Sequence, residues 1–561
     1  MKKYNLFKTL AITIFVAWLL TLIIPGSYAD YSGNITTGSV AGVGVWSLLS
    51  NLSVSISYFN GIAVFLIAVA CFYAILNKLD AYNNFVKKTA SIFNEKEGLL
   101  VTISIIVFGI LSCVVSDWMI LIAFIPFVYK VMKELNIDKK VILSSTLVAS
   151  IIGAMCGIYN ATLFSMLSLK VNTLLLVRVI LLVISLAILT FFVAPRKVKE
   201  KTAKTKAAKK TKTKSETKKA EVKTVKKSTS KEKKVNKALY AVLTIVLGTF
   251  GINKFYAGKI RAGILSIVFC WTLVPTVLSI VEFITILTEK ADKDGRVPVT
   301  SARRTNVLFG TSLVLFVLFI IGAIIPWESL FTKCTIFTDL NNWLAGIKIG
   351  DYAIFGNIIG APVVIDASTG SQSGVINVFG SWTMTDVAIL LFIITFVIAL
   401  CSKIKFNEFI ATETDGIKKI LPVAITAMLI SIVLVIMVTS GVNVTICNWI
   451  VSWAKGFNIA TMTLSSIIGS VLTADFYYFV STIGPVFTSA VSNTDLYGVI
   501  GLIMQSIYNL MMIIAPTSVG IIVGLYYLDI PYGKWFKYIW KVLLALFVVI
   551  IVASIIVFAL V

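Results

Sequence analysis

Runs of eighteen or more apolar residues recur along the chain, separated by short polar segments whose lysine content differs from loop to loop. A run of that length is what an α-helix needs to cross the hydrocarbon of a bilayer. The pattern predicts crossings at 6–25, 58–77, 141–169 and 173–195, then two within 238–288. Further crossings follow at 307–326, 384–402 and 420–439, through the polar-interrupted stretch Gln505–Trp535, and at 538–561. Lysine and arginine mark the inner side of short loops. The loop 26–57 has neither, so it is expected outside, and the start MKKYNLFK is expected inside. Leu6–Pro25 is taken as a retained first span, with Tyr28-Ala29-Asp30 leaving a cleavage site open.

Two apolar stretches break this alternation. Residues 98–130 are basic on both flanks, with Lys87, Lys88 and Lys96 before and Lys130, Lys133, Lys139 and Lys140 after. Both flanks then lie on one side, and two full crossings do not fit, so a re-entrant hairpin with its tip near Cys113–Trp118 is expected. Residues 459–493 pose the same problem from the other side, with Thr473-Ala474-Asp475 at the tip. Two crossings are interrupted by polar residues, one at Gly157–Thr162 and one at Asn509 and Pro516-Thr517-Ser518. A membrane helix broken at mid-depth needs partners for its freed backbone groups. The count is eleven crossings and two hairpins.

The two halves, 6–195 and 384–561, have one order: span, span, amphipathic segment, hairpin, broken span, final span. They start from opposite sides. Inverted repeats whose broken helices meet at the midplane are an architecture of secondary transporters. The expected fold class is an all-α polytopic membrane protein with two re-entrant hairpins and two broken helices in an inverted repeat.

Composition narrows the chemistry. The chain has 561 residues, is 58% hydrophobic and contains no histidine, which removes His triads, His metal sites and His proton shuttles. Seven scattered cysteines form no C-x-x-C. No P-loop and no nucleophile–base set is present, so an enzyme and an ATP-driven pump are not expected. The net charge of +24 comes largely from the lysine-rich stretch 196–237, so it is no sign of nucleic-acid binding. That stretch is expected to be a disordered cytoplasmic linker, with anionic lipid headgroups as its alternative role. The domain plan is a first repeat at 1–195, the linker at 196–237, an insert at 238–290, a connecting span and external loop at 291–383, and the second repeat at 384–561.

The insert LGTFGINKFYAGKIRAG resembles the TM-two domain family, a two-helix module, through Gly248, Phe250, Gly251, Phe255, Tyr256 and Gly258. Asn253 stands where that family has histidine, and Glu282 corresponds to its late acid. The remaining chain resembles the ion transporter superfamily, in its YfcC-like and C4-dicarboxylate anaerobic carrier (DcuC-type) branch. The matching pieces are LTLIIPGSY at 20–28, FLIAVACFYAILNKLDAYNNFVKK at 65–88, FNEFIATETDGIKKILPVAIT at 406–426, and Gln505, Pro516, Thr517, Ser518 and IPYGKW at 530–535. The resemblance implies an elevator-type carrier that dimerises through a scaffold, its hairpins and broken helices moving with the substrate. This chain departs from the branch at both hairpin tips, and Asn160-Ala161-Thr162 lacks the usual proline.

The candidates for substrate or ion binding are Ser116, Asp117, Asn160, Thr162, Thr473, Asp475, Asn509, Thr517 and Ser518. Helix N-termini favour a carboxylate, and hydroxyls with freed carbonyls suit Na⁺. Acids inside a membrane are costly and usually functional. The bland role for Asp117 and Asp475 is capping the second hairpin arms. Trp449, Trp453, Trp535 and Tyr538 are expected as an interfacial belt, with Asp529 and Lys534 at the inner edge. The expected function is secondary transport, in a homodimer at the cell membrane, of a small organic anion or amino acid of the C4-dicarboxylate or basic amino acid class. It is coupled to Na⁺ or H⁺ or works by exchange, with no other cofactor. The alternative is a transport-inactive receptor or scaffold acting through the TM-two module and basic linker.

Overall fold

In this computed structural model the described residues are 4–29, 34–40, 42–115, 117–170, 173–194, 233–270, 274–331, 334–350, 352–354, 361–365, 372–375 and 378–561. The chain divides into two compact units, Met1–Ala194 with Phe316–Val561, and Pro195–Leu315. Most of the expected lysine-rich linker lies outside the described residues.

The first unit opens with α1 (Tyr4–Thr21), α2 (Val45–Lys78) and α3 (Asp80–Ile92). Then come α4 (Glu97–Val114), a 3₁₀ turn at Trp118–Phe124 and α5 (Ile125–Glu134). A continuous helix follows, made of α6 (Lys139–Leu143), a π-helical stretch Ser144–Val148 and α7 (Ala149–Met155), and then α8 (Ala161–Met166) and α9 (Leu175–Val193).

In the second unit the expected two-helix module is four pieces: α10 (Lys237–Leu247), α11 (Ile252–Tyr256), α12 (Ile260–Val268) and α13 (Val274–Thr288). Gly251 causes the first break. It adopts φ +72°, and a Cβ there would lie 2.8 Å from the Gly263 carbonyl oxygen. The Phe255 ring fills the space over Gly263, and Glu282 accepts from Tyr240 Oη (2.7 Å) and Asn253 Nδ2 (3.2 Å). The residue in the histidine position thus bonds the late acid. At the edge of this unit Lys234 pairs with Asp292 at 2.9 Å and holds that carboxyl below its ordinary range.

Helix α14 (Ala302–Ile324) leads to two short helices, α15 (Trp327–Leu330) and α16 (Ile336–Gly346), and to short strand pairs within 348–375. The series then recurs. It runs α17 (Met384–Cys401), α18 (Phe406–Ser440), α19 (Val442–Val451), α20 (Ile459–Leu472), α21 (Phe476–Ser489), α22 (Tyr497–Met512), α23 (Val519–Leu528) and α24 (Tyr532–Leu560). The long second helices match, with 34 residues in α2 and 35 in α18, and helices end at Val114 and Leu472 at the expected tips, with further breaks at 156–160 and 513–518.

Seven helices among the described residues are long and apolar enough to cross a membrane: Asn60–Lys78, Glu97–Val114, Leu175–Val193, Arg303–Ile324, Met384–Cys401, Phe406–Ser440 and Tyr532–Leu560. With the other apolar helices they define a polytopic, nearly all-helical membrane protein. Six of the seven match expected crossings. Glu97–Val114 is the first arm of the expected hairpin, and its 18 residues, about 27 Å, exceed a half-depth arm. It packs along α7 and α9.

The segment from 406 continues unbroken into the crossing, joined to α2 by the Lys78–Glu408 pair at 2.9 Å. Helix α19 buries one face, with Asn443, Val444, Cys447 and Ile450, and leaves Trp449 exposed; Gly441 at φ +67° turns the chain into it from α18. The core of the unit is the pair of broken helices, since Gly498–Leu510 is buried without interruption.

Candidate functional site

A broken helix frees carbonyls, and the structure shows what meets them. At the first break, Gln505 Nε2 donates to the Ala154 carbonyl (2.9 Å) and the Gly157 carbonyl (3.1 Å). Arg178 Nη1 donates to the Gly157 carbonyl and to Gln505 Oε1, both at 2.5 Å. At the second break, Trp535 Nε1 donates to the Ile513 carbonyl at 3.0 Å and the Tyr532 hydroxyl donates to the Ile514 carbonyl. Each of these four carbonyls thus accepts from a side chain.

Trp535 is therefore no part of an interfacial belt. It is 0% exposed, whereas Trp449 and Trp453 are exposed as expected. Trp535→Phe leaves the Ile513 carbonyl without its donor and is expected to cost about 1–3 kcal/mol, read as a lower midpoint in thermal unfolding. Trp449→Phe should leave the midpoint unchanged.

The breaks face one cavity of about 310 Å³. Asp117, Asn160, Thr162, Asp475, Asn509 and Ser518 line it, six of the nine residues singled out from the sequence. Capping and lining coincide in three of them. Asp117 Oδ1 accepts from the Met119 N–H (2.9 Å), Asp475 Oδ1 from the Tyr478 N–H (3.1 Å) and Asn160 Oδ1 from the Leu163 N–H (3.0 Å). The first residues of α21 and α23 also line the cavity, so two helix N-termini face it.

Thr473 and Thr517 do not line it. Their hydroxyls are buried and donate to the Gly469 carbonyl (2.6 Å) and the Val471 carbonyl (2.8 Å), which ties the second tip to the second break. Ser116 lies outside the described residues. The wall also holds Gln505 and Tyr508, which were not among the candidates. Behind it is Arg178, 1% exposed, with Nε and Nη2 unpartnered and its guanidinium 5.3 Å from the centre of the Phe164 ring. A charge inside the apolar run 173–195 is the sequence signal that finds it.

On one side the wall is thin. Gly520 borders this cavity and a second one, and a Cβ on Gly520 would lie 2.5 Å from the Trp118 ring. Among the described residues no group of three or more His, Cys, Asp or Glu side chains is placed to hold a metal ion. The charged groups offered to a ligand are two carboxylates, backed by one buried guanidinium.

A polytopic membrane protein with a polar cavity where helices break is thus the class that fold and site define. Residues 233–284 match the TM2 domain family. Over 54 residues, 10% of this chain and 68% of the relative, the chain is 46% identical to "Uncharacterized membrane protein YozV" of Bacillus subtilis (strain 168). The chain belongs to the TM2-domain proteins through this segment. No solved structure matches the chain.

Proposed function

We propose that the chain is a secondary active transporter of a small organic anion or amino acid, working as a homodimer of the YfcC-like and DcuC-type kind. One observation carries the reading. Asp117 and Asp475, more than three hundred residues apart, line a single cavity together with Asn160, Asn509 and Ser518 from the two helix breaks. Discontinuous helices around a central polar site are how such carriers hold substrate and coupling ion. The N-termini of α21 and α23 suit a carboxylate, and the two aspartates suit an ammonium group, Na⁺ or a proton. The lysine-rich loop ends lie on the cytoplasmic side in this reading.

The test is uptake by the reconstituted protein, with ligand-induced thermal stabilisation, across amino acids, dicarboxylates and peptides with and without Na⁺. Saturable uptake supports the reading. A folded protein that neither takes up nor is stabilised by any member of the panel refutes it. The TM2 domain favours the rival, a membrane receptor or scaffold without transport.

A further inference from the structure

The second cavity, about 190 Å³, lies between α2 and α18 on one side and α5, the 139–155 helix and α23 on the other. Its walls are apolar, with Leu66, Val69, Ile122, Leu147 and Val523 among them. Along α2 it runs from Leu66 to Asn77, about 16 Å at the rise of an α-helix. Tyr73 also lines it, but its hydroxyl donates to the Ala123 carbonyl at 2.9 Å. Water needs two or more polar partners to stay in such a space, and these walls supply almost none. A void left empty forfeits the dispersion contacts of its lining.

One end differs from the rest. Lys419 lines it and is exposed, Lys130 Nζ is held by Asn77 Oδ1 (2.5 Å) and Asn83 Oδ1 (2.6 Å), and Lys139 Nζ donates to the Leu528 carbonyl (2.8 Å). No carboxylate lines the cavity. An apolar shaft with amines at one mouth is complementary to an anionic amphiphile, and a bilayer supplies one in excess.

We propose that this cavity seats an acyl chain of an anionic phospholipid, with the phosphate at Lys419 and Lys130. The proposal stands apart from transport, since the substrate cavity and its aspartates take no part in it.

The test is native mass spectrometry of the full-length protein released from mixed micelles. These contain equal palmitoyl-oleoyl phosphatidylglycerol and phosphatidylcholine. The wild type should retain phosphatidylglycerol at least tenfold over phosphatidylcholine. Lys130→Gln with Lys419→Gln should remove that preference, while Lys405→Gln keeps it. Val523→Phe, which fills the shaft, should lower retention of both lipids. The lysine variants change only the rim, so they decide the matter even if the Val523 variant does not fold. Wild-type selectivity in the lysine double variant overturns the proposal. So does stabilisation by glycerol phosphate, which has no acyl chain, equal to that by phosphatidylglycerol.

Discussion

Asp117→Asn and Asp475→Asn should each weaken ligand binding at least about 100-fold while leaving the unliganded protein nearly as stable as the wild type. The two halves of this expectation have separate physical sources. Asparagine caps a helix start about as well as aspartate, so the bonds to the Met119 and Tyr478 N–H groups survive. The charge does not survive. A hydrogen bond to an ionised group contributes about 1.5–3 kcal/mol, and the upper part of that range corresponds to the stated loss. Alanine removes the cap as well and should cost about 1 kcal/mol of stability in addition. The check is a titration of whichever ligand stabilises the wild type, read as a shift in unfolding midpoint. Asn variants that bind normally would reduce both acids to caps.

The largest effect on folding is expected from Gln505→Leu. Arg178 is a buried cation with no carboxylate partner among the described residues, and its Nη1 rests on Gln505 Oε1 and the Gly157 carbonyl. Leucine removes one of those acceptors and the Gln505 donor to the Ala154 carbonyl, which keeps the Gly157 N–H. Losing a hydrogen bond to a charged group costs about 1.5–3 kcal/mol, and the Gly157 carbonyl still accepts from Nη1. Replacing both partners by apolar side chains is far milder. Arg178→Met added to Gln505→Leu should therefore recover at least half of the loss. A double-mutant cycle on thermal unfolding measures this, and additive losses would count against the contact.

The alternation of apolar runs was enough to place α9, α17 and α24 and the apolar parts of α2 and α18, because a membrane helix is encoded in its own composition. The same pattern assigns the helical start of α2 at Val45–Ser57 to a loop and that of α18 at Phe406–Lys419 to a separate segment. The two breaks were legible for the same reason, since Asn160 and Pro516-Thr517-Ser518 are polar or helix-breaking inside apolar runs. The destination of the freed carbonyls was not. Gln505 reaches the first break from some 350 residues away, and Arg178 and Trp535 reach back about twenty residues from the following helices, pairings that no local pattern records. Trp535 also sits where a tryptophan normally marks the headgroup level, so only its packing reveals that it is inside. Thr473 and Thr517 share the composition of ligand-binding hydroxyls but turn onto carbonyls of α20. The direction of a short side chain depends on local backbone geometry. The four-piece TM2 segment was hidden because Gly251 and Gly258 break a helix only when their φ is positive, which apolarity does not report.

Helices α2 and α18 have 34 and 35 residues. At the rise of an α-helix each is about 51 Å long. They lie antiparallel along that length, joined by Ser55 to the Met428 carbonyl and by Lys78 to Glu408. A hydrocarbon core is only about 30 Å thick, so the pair is a beam roughly 20 Å too long for the slab it passes through. It must lean, or stand proud of the surface with its charged end in water. The charges of α18 (Glu408, Glu413, Asp415, Lys418 and Lys419) all precede the apolar run 420–439, so the excess length is a water-facing extension that carries the Lys78–Glu408 pair beyond the hydrocarbon.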